Sequence, residues 1–403
     1  MTLFGVYIKL YKLIKIVYNA KFVLRREGMI HEKVVIIIPT YNEALVIQET
    51  LSQVFQVASS ITTFNIHVLI FDSNSEDDTQ QIVLNLIEQN QNLHLKTESK
   101  KSGLGSAYLQ AMRYAINEMS ADIVFEFDAD LSHQPKYIAP ILEKLKSCDV
   151  VVGSRYVPGG KIPNNWGWHR KLLSALGNYT ARLFLTPKYK DFTSGFRASR
   201  SQALFKALPK EFLCNHYAYK LHLFWLLHKN KARICEFPIE FVDRTKGESK
   251  LPANSIFDAL RVLGLLRYYE CKRYLKMCLV GVSGVVLQYF IYNLLRQSMP
   301  PVNALQLAVI AAIINNYILN NQYTFRRKTA VNRYEKFRSF SLYIGYSIAM
   351  IYLQSYWLLF GINFFGSGYL KENLIILMGI ILGSVLNYIT FSNLIWRKKL
   401  LQD

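Results

Sequence analysis

The sequence predicts an α/β domain built on a mostly parallel sheet, followed by an all-α domain of four transmembrane helices. Three observations carry this. Short β-branched runs alternate with helical stretches as far as about Asp258. Each run ends in a polar cluster, where an open parallel sheet presents its ligand-binding edge. After Met277 the chain becomes long uncharged stretches separated by short basic loops. A length of 403 residues is enough for two cores, and the 51% of hydrophobic residues is concentrated towards the second.

The first segment, 1–27, is apolar and basic, with Lys9, Lys12, Lys15, Lys21, Arg25 and Arg26 and no acid before Glu27. Lysines interrupt it too often for a span, and Leu10, Leu13, Ile14 and Val17 fall at helical spacing. It reads as an amphipathic helix on an anionic membrane surface. Residues 28–252 form the α/β domain. Val34–Ile38 has the continuous β-branched pattern of a buried parallel strand and ends in Pro39-Thr-Tyr-Asn42. His67–Phe71, Ile123–Phe127 and Val150–Val152 repeat the pattern. Residues 253–276 set Ile256, Phe257, Leu260, Leu263 and Leu266 among Arg261, Arg267, Lys272 and Arg273, as interfacial helices do.

The remainder, 277–403, holds four uncharged stretches: Met277–Leu295, Ala304–Phe325, Phe340–Phe365 and Leu374–Trp396. Each has the roughly 20 residues that a hydrocarbon core demands. The loops before the first span, between the second and third, and after the fourth are rich in Lys and Arg. The other two hold only Arg296 and Lys371. Positive-inside logic puts both termini and the α/β domain in the cytoplasm. The excess of 48 Lys+Arg over 28 Asp+Glu gives a formal charge of +20. It clusters beside the spans and no nucleic-acid motif accompanies it, so the bilayer is the expected partner and nucleic acid is not. The five cysteines form no C-x-x-C pair. They read as packing residues in a reducing compartment, without a disulfide framework or zinc site.

Asp128-Ala-Asp130 follows the third strand directly. Two carboxylates at a strand end can hold a divalent cation against a diphosphate, neutralising charge as a sugar–phosphate bond breaks. A bare D-x-D is weak; position and company give it value. Pro39-Thr-Tyr-Asn-Glu43 offers a phenol for a base to lie against and a carboxylate for hydrogen bonds. Asp72, in Phe71-Asp-Ser-Asn-Ser-Glu-Asp77, can grip a further polar group of a nucleotide. Either turn alone could be an ordinary strand–helix turn capped by Asn42 or Ser75.

P-T-Y-N-E, F-D-S-N-S-x-D-D-T, K-S-G-L-G-S-A-Y, D-A-D-L-S-H-Q-P, G-S-R-Y, D-F-T-S-G-F-R-A and R-T-K-G-E-S-K-L occur here in the order seen in glycosyltransferase family 2. From about Lys33 to Leu251 the set resembles the polyprenol (dolichol) phosphate mannose synthases. The resemblance implies a GT-A nucleotide-diphospho-sugar transferase fold, with a Rossmann-like mixed sheet. It also implies mannose transfer from GDP-mannose to a polyprenyl (dolichyl) phosphate, with inversion, using Mg²⁺ or Mn²⁺. It puts Pro39, Tyr41, Glu43 and Asp72 at the nucleotide, and Lys101, Gly103 and Gly105 in a loop beside the donor. Asp128 and Asp130 would hold the metal, with Ser132 completing or flanking it. Arg155, Arg170 and Ser174 match positions that meet the acceptor phosphate, and Arg244 and Lys250 a basic loop over the diphosphate. Ser73 stands where many relatives have a second aspartate. The spans are similar to the GtrA-like membrane domain through Arg273–Gly281, Asn316-Tyr317 and Asn387-Tyr388, whose asparagines are expected to bond across helices.

The residues support these roles independently. A phosphate monoester has its second pKa at about 6, so the acceptor is a nucleophile without a strong base. It needs a cationic pocket in line with the anomeric carbon, and arginines supply one. No catalytic base is therefore assigned, and Asp191 is expected to orient the sugar or Arg197. His133, beside the metal motif, reads as a histidine behind the metal ligands or at the surface, with ligation as the alternative. Trp166 and Trp168 face either sugar or lipid, or pack at an interface. Two alternatives stay open: a UDP-sugar (glucose-type) transferase on the same lipid class, and a non-catalytic lipid-linked-sugar transporter or scaffold. A processive polysaccharide synthase is disfavoured by the lack of a Q-x-x-R-W string.

Overall fold

Every residue from Val34 to Ile38 is fully buried, and alternate side chains enter different cores. This is why the run is continuously apolar: the strand is covered on both faces. It belongs to β1 (Glu32–Thr40), the third strand of a sheet that has seven strands among the described residues. The others are β2 (Phe64–Asp72), β3 (Leu93–Thr97), β4 (Ile123–Glu126), β5 (Val150–Ser154), β6 (Arg197–Arg200) and β7 (Ile234–Pro238). Their order is β3-β2-β1-β4-β6-β5-β7, and β6 alone runs antiparallel to both neighbours. This computed structural model describes residues 31–243, 254–324 and 333–390. The expected surface helix at 1–27 and the basic-loop residues Arg244 and Lys250 lie outside them.

One face of the sheet is covered by α1 (Ile47–Ser59), α2 (Thr79–Ile87) and α4 (Ile138–Lys144), through Ile47, Leu51, Val54, Val83, Ile138 and Ile141. The other is covered by α3 (Leu104–Asn117), α5 (Trp168–Phe184), α6 (Ser201–Ala207) and α7 (Tyr219–Lys229). Val262, Leu263 and Leu266 join that second core. The strand order reverses between β1 and β4, opening a crevice at their carboxyl ends. The mixed Rossmann-like sheet is of GT-A type, and the antiparallel β6 is the feature that sequence periodicity did not reveal.

The cysteine expectation is overturned at one pair. Cys148 and Cys235 form a disulfide, with Cα atoms 6.2 Å apart. Cys148 lies just before β5 and Cys235 sits in β7, opposite Val151 in the parallel register. The pairing arises only from the adjacency of two strands 87 residues apart in sequence, so no local spacing announces it.

The chain divides into two compact units between Arg267 and Tyr268. The expected interfacial segment, from Ser255 on, and the first span both fall within α8 (Ser255–Leu295). In the second unit it is followed by α9 (Pro301–Leu319), a π-helical turn (Asn320–Thr324), α10 (Arg333–Phe365) and α11 (Tyr369–Thr390). Tyr274–Leu295, Pro301–Leu319 and Ser341–Phe365 are long and apolar enough to cross a membrane. The expected fourth span begins within α11, and its residues 391–396 lie outside the described ones. Small residues let these helices approach: a Cβ on Gly284 would meet the Asn316 amide, and one on Gly361 would meet Ile375. Asn315, next to the Asn316 singled out in the sequence, donates Nδ2 to Ser283 Oγ across helices at 3.0 Å.

Candidate active site

Two loops at the carboxyl edge of β1 and β2 are laced together. The Asn42 N–H donates to Ser75 Oγ, Glu43 N–H to Thr79 Oγ1 and Ala44 N–H to Asp77, while Asn42 Oδ1 accepts from the Glu76 N–H. Pro39 lies opposite Phe71 in the ladder that leads into them. Asp72 is fully buried and accepts from Thr40 Oγ1 (2.7 Å), the Ser75 N–H (2.8 Å), Ser75 Oγ (2.6 Å) and Gln80 Nε2 (2.7 Å). Its carboxylate therefore organises the loop pair. The Tyr41 ring meets the Lys101 ammonium at 3.3 Å from the centroid, which joins the first loop to the one before α3. Glu98 shapes that third loop by accepting from Ser102 N–H, Ser102 Oγ and Gln110 Nε2. Gly103 has φ of +99°, and a Cβ there would strike the Asn215 carbonyl oxygen. Gly105 donates its N–H to the same oxygen at 2.7 Å. Both glycines are thus explained by the closeness of residues 214–219.

Asp128 and Asp130 follow β4 after Phe127, at the crevice. Asp128 is held on several sides. The Tyr108 hydroxyl donates to its Oδ1 at 3.1 Å, while Lys220 Nζ and His133 Nε2 lie 3.6 and 3.7 Å from its Oδ2. His133 Nδ1 accepts the Asp128 backbone N–H, which puts the proton of the neutral ring on Nε2. Burial lowers the His133 pKa, against the pull of Asp128. The ring stacks on Phe196 and meets Phe127 and Phe241 edge-on. It props the turn. Asp130 Oδ1 accepts the Ser132 N–H at 3.1 Å, and Leu131 between them has φ of +58°. A branched residue in the left-handed region costs about 1–2 kcal/mol, and here it reverses the chain after the second aspartate. Among the described residues no three His, Cys, Asp or Glu side chains gather into a metal cage. Two carboxylates fit Mg²⁺ or Mn²⁺, which take one or two from protein and fill the shell with water and substrate phosphate.

Beneath the aspartates runs a buried polar chain; sequence reading offered Arg197 as a structural ion-pair partner but did not find what it pairs with. Arg197 on β6 lies opposite Glu126 on β4, and its Nε and Nη2 donate to the carboxylate at 2.6 and 2.8 Å. The Tyr219 hydroxyl donates to Glu126 at 3.3 Å, and its ring stacks on Tyr108. Burial, then the neighbouring Asp128 and Glu126 charges, keeps Tyr108 protonated well above its ordinary range. The only signals in the sequence were a lone Glu inside an apolar strand and an Arg three residues after Ser194.

Asp191 was expected to orient the sugar or Arg197. Arg197 belongs to Glu126, and Asp191 instead holds Arg155, through Nε and Nη2 at 2.8 Å each and the backbone N–H at 3.1 Å. Burial pushes the Asp191 pKa up, but the Arg155 charge and hydrogen bonds more than offset this and hold it below the usual carboxylate range. Arg155 Nη2 also donates to Thr193 Oγ1. Tyr156 donates to Ser174 Oγ at 2.6 Å, and Asn178 ties the same helix to Thr193 and Phe192. Arg155 and Ser174 are thus brought together. Arg170, one turn earlier on α5, pairs with Asp243 at 3.2 Å and lies 4.0 Å over the Trp166 ring. Trp166 is buried with its indole N–H unpartnered among the described residues, whereas Trp168 is 76% exposed. Trp168 heads an exposed stripe with Leu172, Leu176, Tyr179 and Leu183, which the helical period sets on one side of α5, away from buried Asn178 and Ala181.

Comparison with known proteins agrees with this architecture. Residues 35–207 match Glycosyl transferase family 2, and residues 276–396 match the GtrA/DPMS transmembrane domain. The dolichol-phosphate mannosyltransferase of Pyrococcus furiosus is 32% identical over 375 residues, 90% of this chain and 99% of that one. The undecaprenyl-phosphate mannosyltransferase of Micrococcus luteus is 33% identical, over 57% of this chain and 91% of its own. The polyprenol monophosphomannose synthase of Mycolicibacterium smegmatis is 31% identical, over 57% and 84%.

Proposed function

Because this chain belongs to glycosyltransferase family 2 and carries a C-terminal GtrA/DPMS transmembrane domain, we propose that it moves mannose from GDP-mannose onto a polyprenyl (dolichyl) phosphate in the membrane, with inversion and with Mg²⁺ or Mn²⁺. The observation that carries the reading is the Asp128–Asp130 pair at the crevice between β1 and β4, beside the laced loops. Mannose rests on the names of the three relatives.

In this reading the base lies along the loop of Pro39, Tyr41 and Glu43, with Lys101 against the same tyrosine, and Asp72 keeps that platform in shape. Asp128 and Asp130 would hold the cation, which neutralises charge on the leaving diphosphate. Arg155, fixed by Asp191, and Arg170 and Ser174 on α5 would orient the acceptor phosphate behind the anomeric carbon. An acceptor oxygen forms the new bond to that carbon as the bond to the diphosphate breaks. Arg244 and Lys250 are proposed to close over the diphosphate. The exposed apolar stripe of α5, on the side of the helix away from Arg170 and Ser174, supports docking of this unit at the membrane surface and an acceptor that stays in the bilayer. The basic loops support a cytoplasmic catalytic unit and cytoplasmic termini.

The test is to incubate membranes containing the protein with polyprenyl phosphate, Mg²⁺ or Mn²⁺, and radiolabelled GDP-mannose, UDP-glucose or UDP-N-acetylglucosamine in parallel. Lipid-extractable label is expected from GDP-mannose alone, and it should vanish with chelator and in Asp130→Ala. Label from a UDP-sugar alone would replace the donor. Nucleotide binding without labelled lipid from any donor would sink the assigned reaction.

A further inference from the structure

Lys220 is the second residue of α7, and its side chain is 7% exposed. A lysine is almost never buried without a partner. Its ammonium lies 3.6 Å from Asp128 Oδ2, over a notch made by Gly195, where an added Cβ would collide with the lysine's terminal atoms. The Tyr217 ring lies 5.5 Å from the ammonium and His133 Nε2 is 3.7 Å from the same carboxylate oxygen. The other oxygen takes the Tyr108 hydroxyl. A cation is therefore built into the protein at one of the two carboxylates proposed for the metal.

We infer that Lys220 is a resident cation of the Asp128 carboxylate, and that it makes divalent-ion binding depend on the donor's diphosphate. The inference rests on the metal role proposed above. An ammonium and a divalent ion at one carboxylate repel each other, so the site without donor carries too little negative charge for both. A nucleoside diphosphate brings that charge, and ammonium and metal are then held together. Binding of metal and of nucleotide is coupled as a result, and the coupling is reciprocal.

The experiment is a titration of the full-length protein in detergent with Mn²⁺, read by electron paramagnetic resonance of the free ion, with and without GDP. Wild type should bind Mn²⁺ more tightly with GDP than without. Lys220→Met should bind Mn²⁺ about tenfold more tightly than wild type in the absence of GDP, a typical size for such coupling, and the enhancement by GDP should shrink by the same factor. Gly195→Ala keeps the lysine but pushes its end away, and should shift the affinity in the same direction. Lys220→Arg should behave as wild type. Unchanged or weaker Mn²⁺ binding without GDP in both Lys220→Met and Gly195→Ala, while Asp130→Ala abolishes binding, would overturn the inference and leave the metal reading standing. No Mn²⁺ binding to wild type even with GDP would overturn both.

Discussion

Glu126 and Arg197 are 1% and 0% exposed in the middle of the sheet. Such a pair adds little net stability, because desolvation offsets the attraction, but removing one partner strands a buried charge at about 3–5 kcal/mol. Glu126→Ala should therefore lower the thermal midpoint sharply, and Glu126→Leu combined with Arg197→Met should recover most of the loss. Equal damage from the single and double variants would contradict this account. A second expectation concerns histidines. His67 is pushed down to about 4 by burial, then by Lys33 and His94, and His222 is pushed down to about 4 by burial. In the unfolded chain both titrate near 6.5. Between these values the unfolded state binds more protons, so their contribution is complete above about pH 6.5 and is lost as pH falls towards 4. The thermal midpoint should fall through that window, and less steeply in His67→Gln. The residues that sequence made legible were those with a local signature: Asp128 and Asp130 after a strand, the loops of Tyr41 and Asp72, and Arg155 in G-S-R-Y. Tyr108, Glu126, Tyr219 and Lys220 escaped because their partners lie far along the chain and only the folded sheet brings them together.

Among elements, the strands read from sequence were those buried on both faces, whose side chains are all apolar. β3, with its outer positions half-buried or exposed, and β7 at the far edge lack that pattern. β6 reads Arg-Ala-Ser-Arg and carries a salt bridge where a periodicity argument looks for valine. The disulfide escaped for the same reason as the buried network. It ties the turn before β5 to the edge strand β7, and closing a loop of 87 residues is worth up to about 4–5 kcal/mol on the chain-entropy account. Reducing agent, or Cys148→Ser with Cys235→Ser, should lower the thermal midpoint of the purified protein by several degrees. An unchanged midpoint, with both thiols shown by labelling to be free after reduction, would mean that the sheet holds this edge unaided.

At the level of the whole molecule, the division into an α/β unit and a membrane-spanning unit was plain from hydropathy alone, because lipid demands uninterrupted apolar helices and leaves an unmistakable composition. What stayed hidden was the detail of packing: which glycines admit a neighbour, as Gly284 admits Asn316, depends on contacts that composition does not encode. The strand order has a further consequence, one of timing. β6 fits between β4 and β5, yet it follows both in the chain, and Glu126 precedes Arg197 by 71 residues. At about 5–20 residues per second, synthesis leaves Glu126 for about 4–14 s before its arginine has been made. Tyr219 arrives later still, 93 residues after Glu126, and Lys220 follows it. The ribosome thus delivers Glu126 and the aspartate pair, with Tyr108 already made, well before Arg197, Tyr219 and Lys220, and the nascent sheet must wait with its central carboxylate wet.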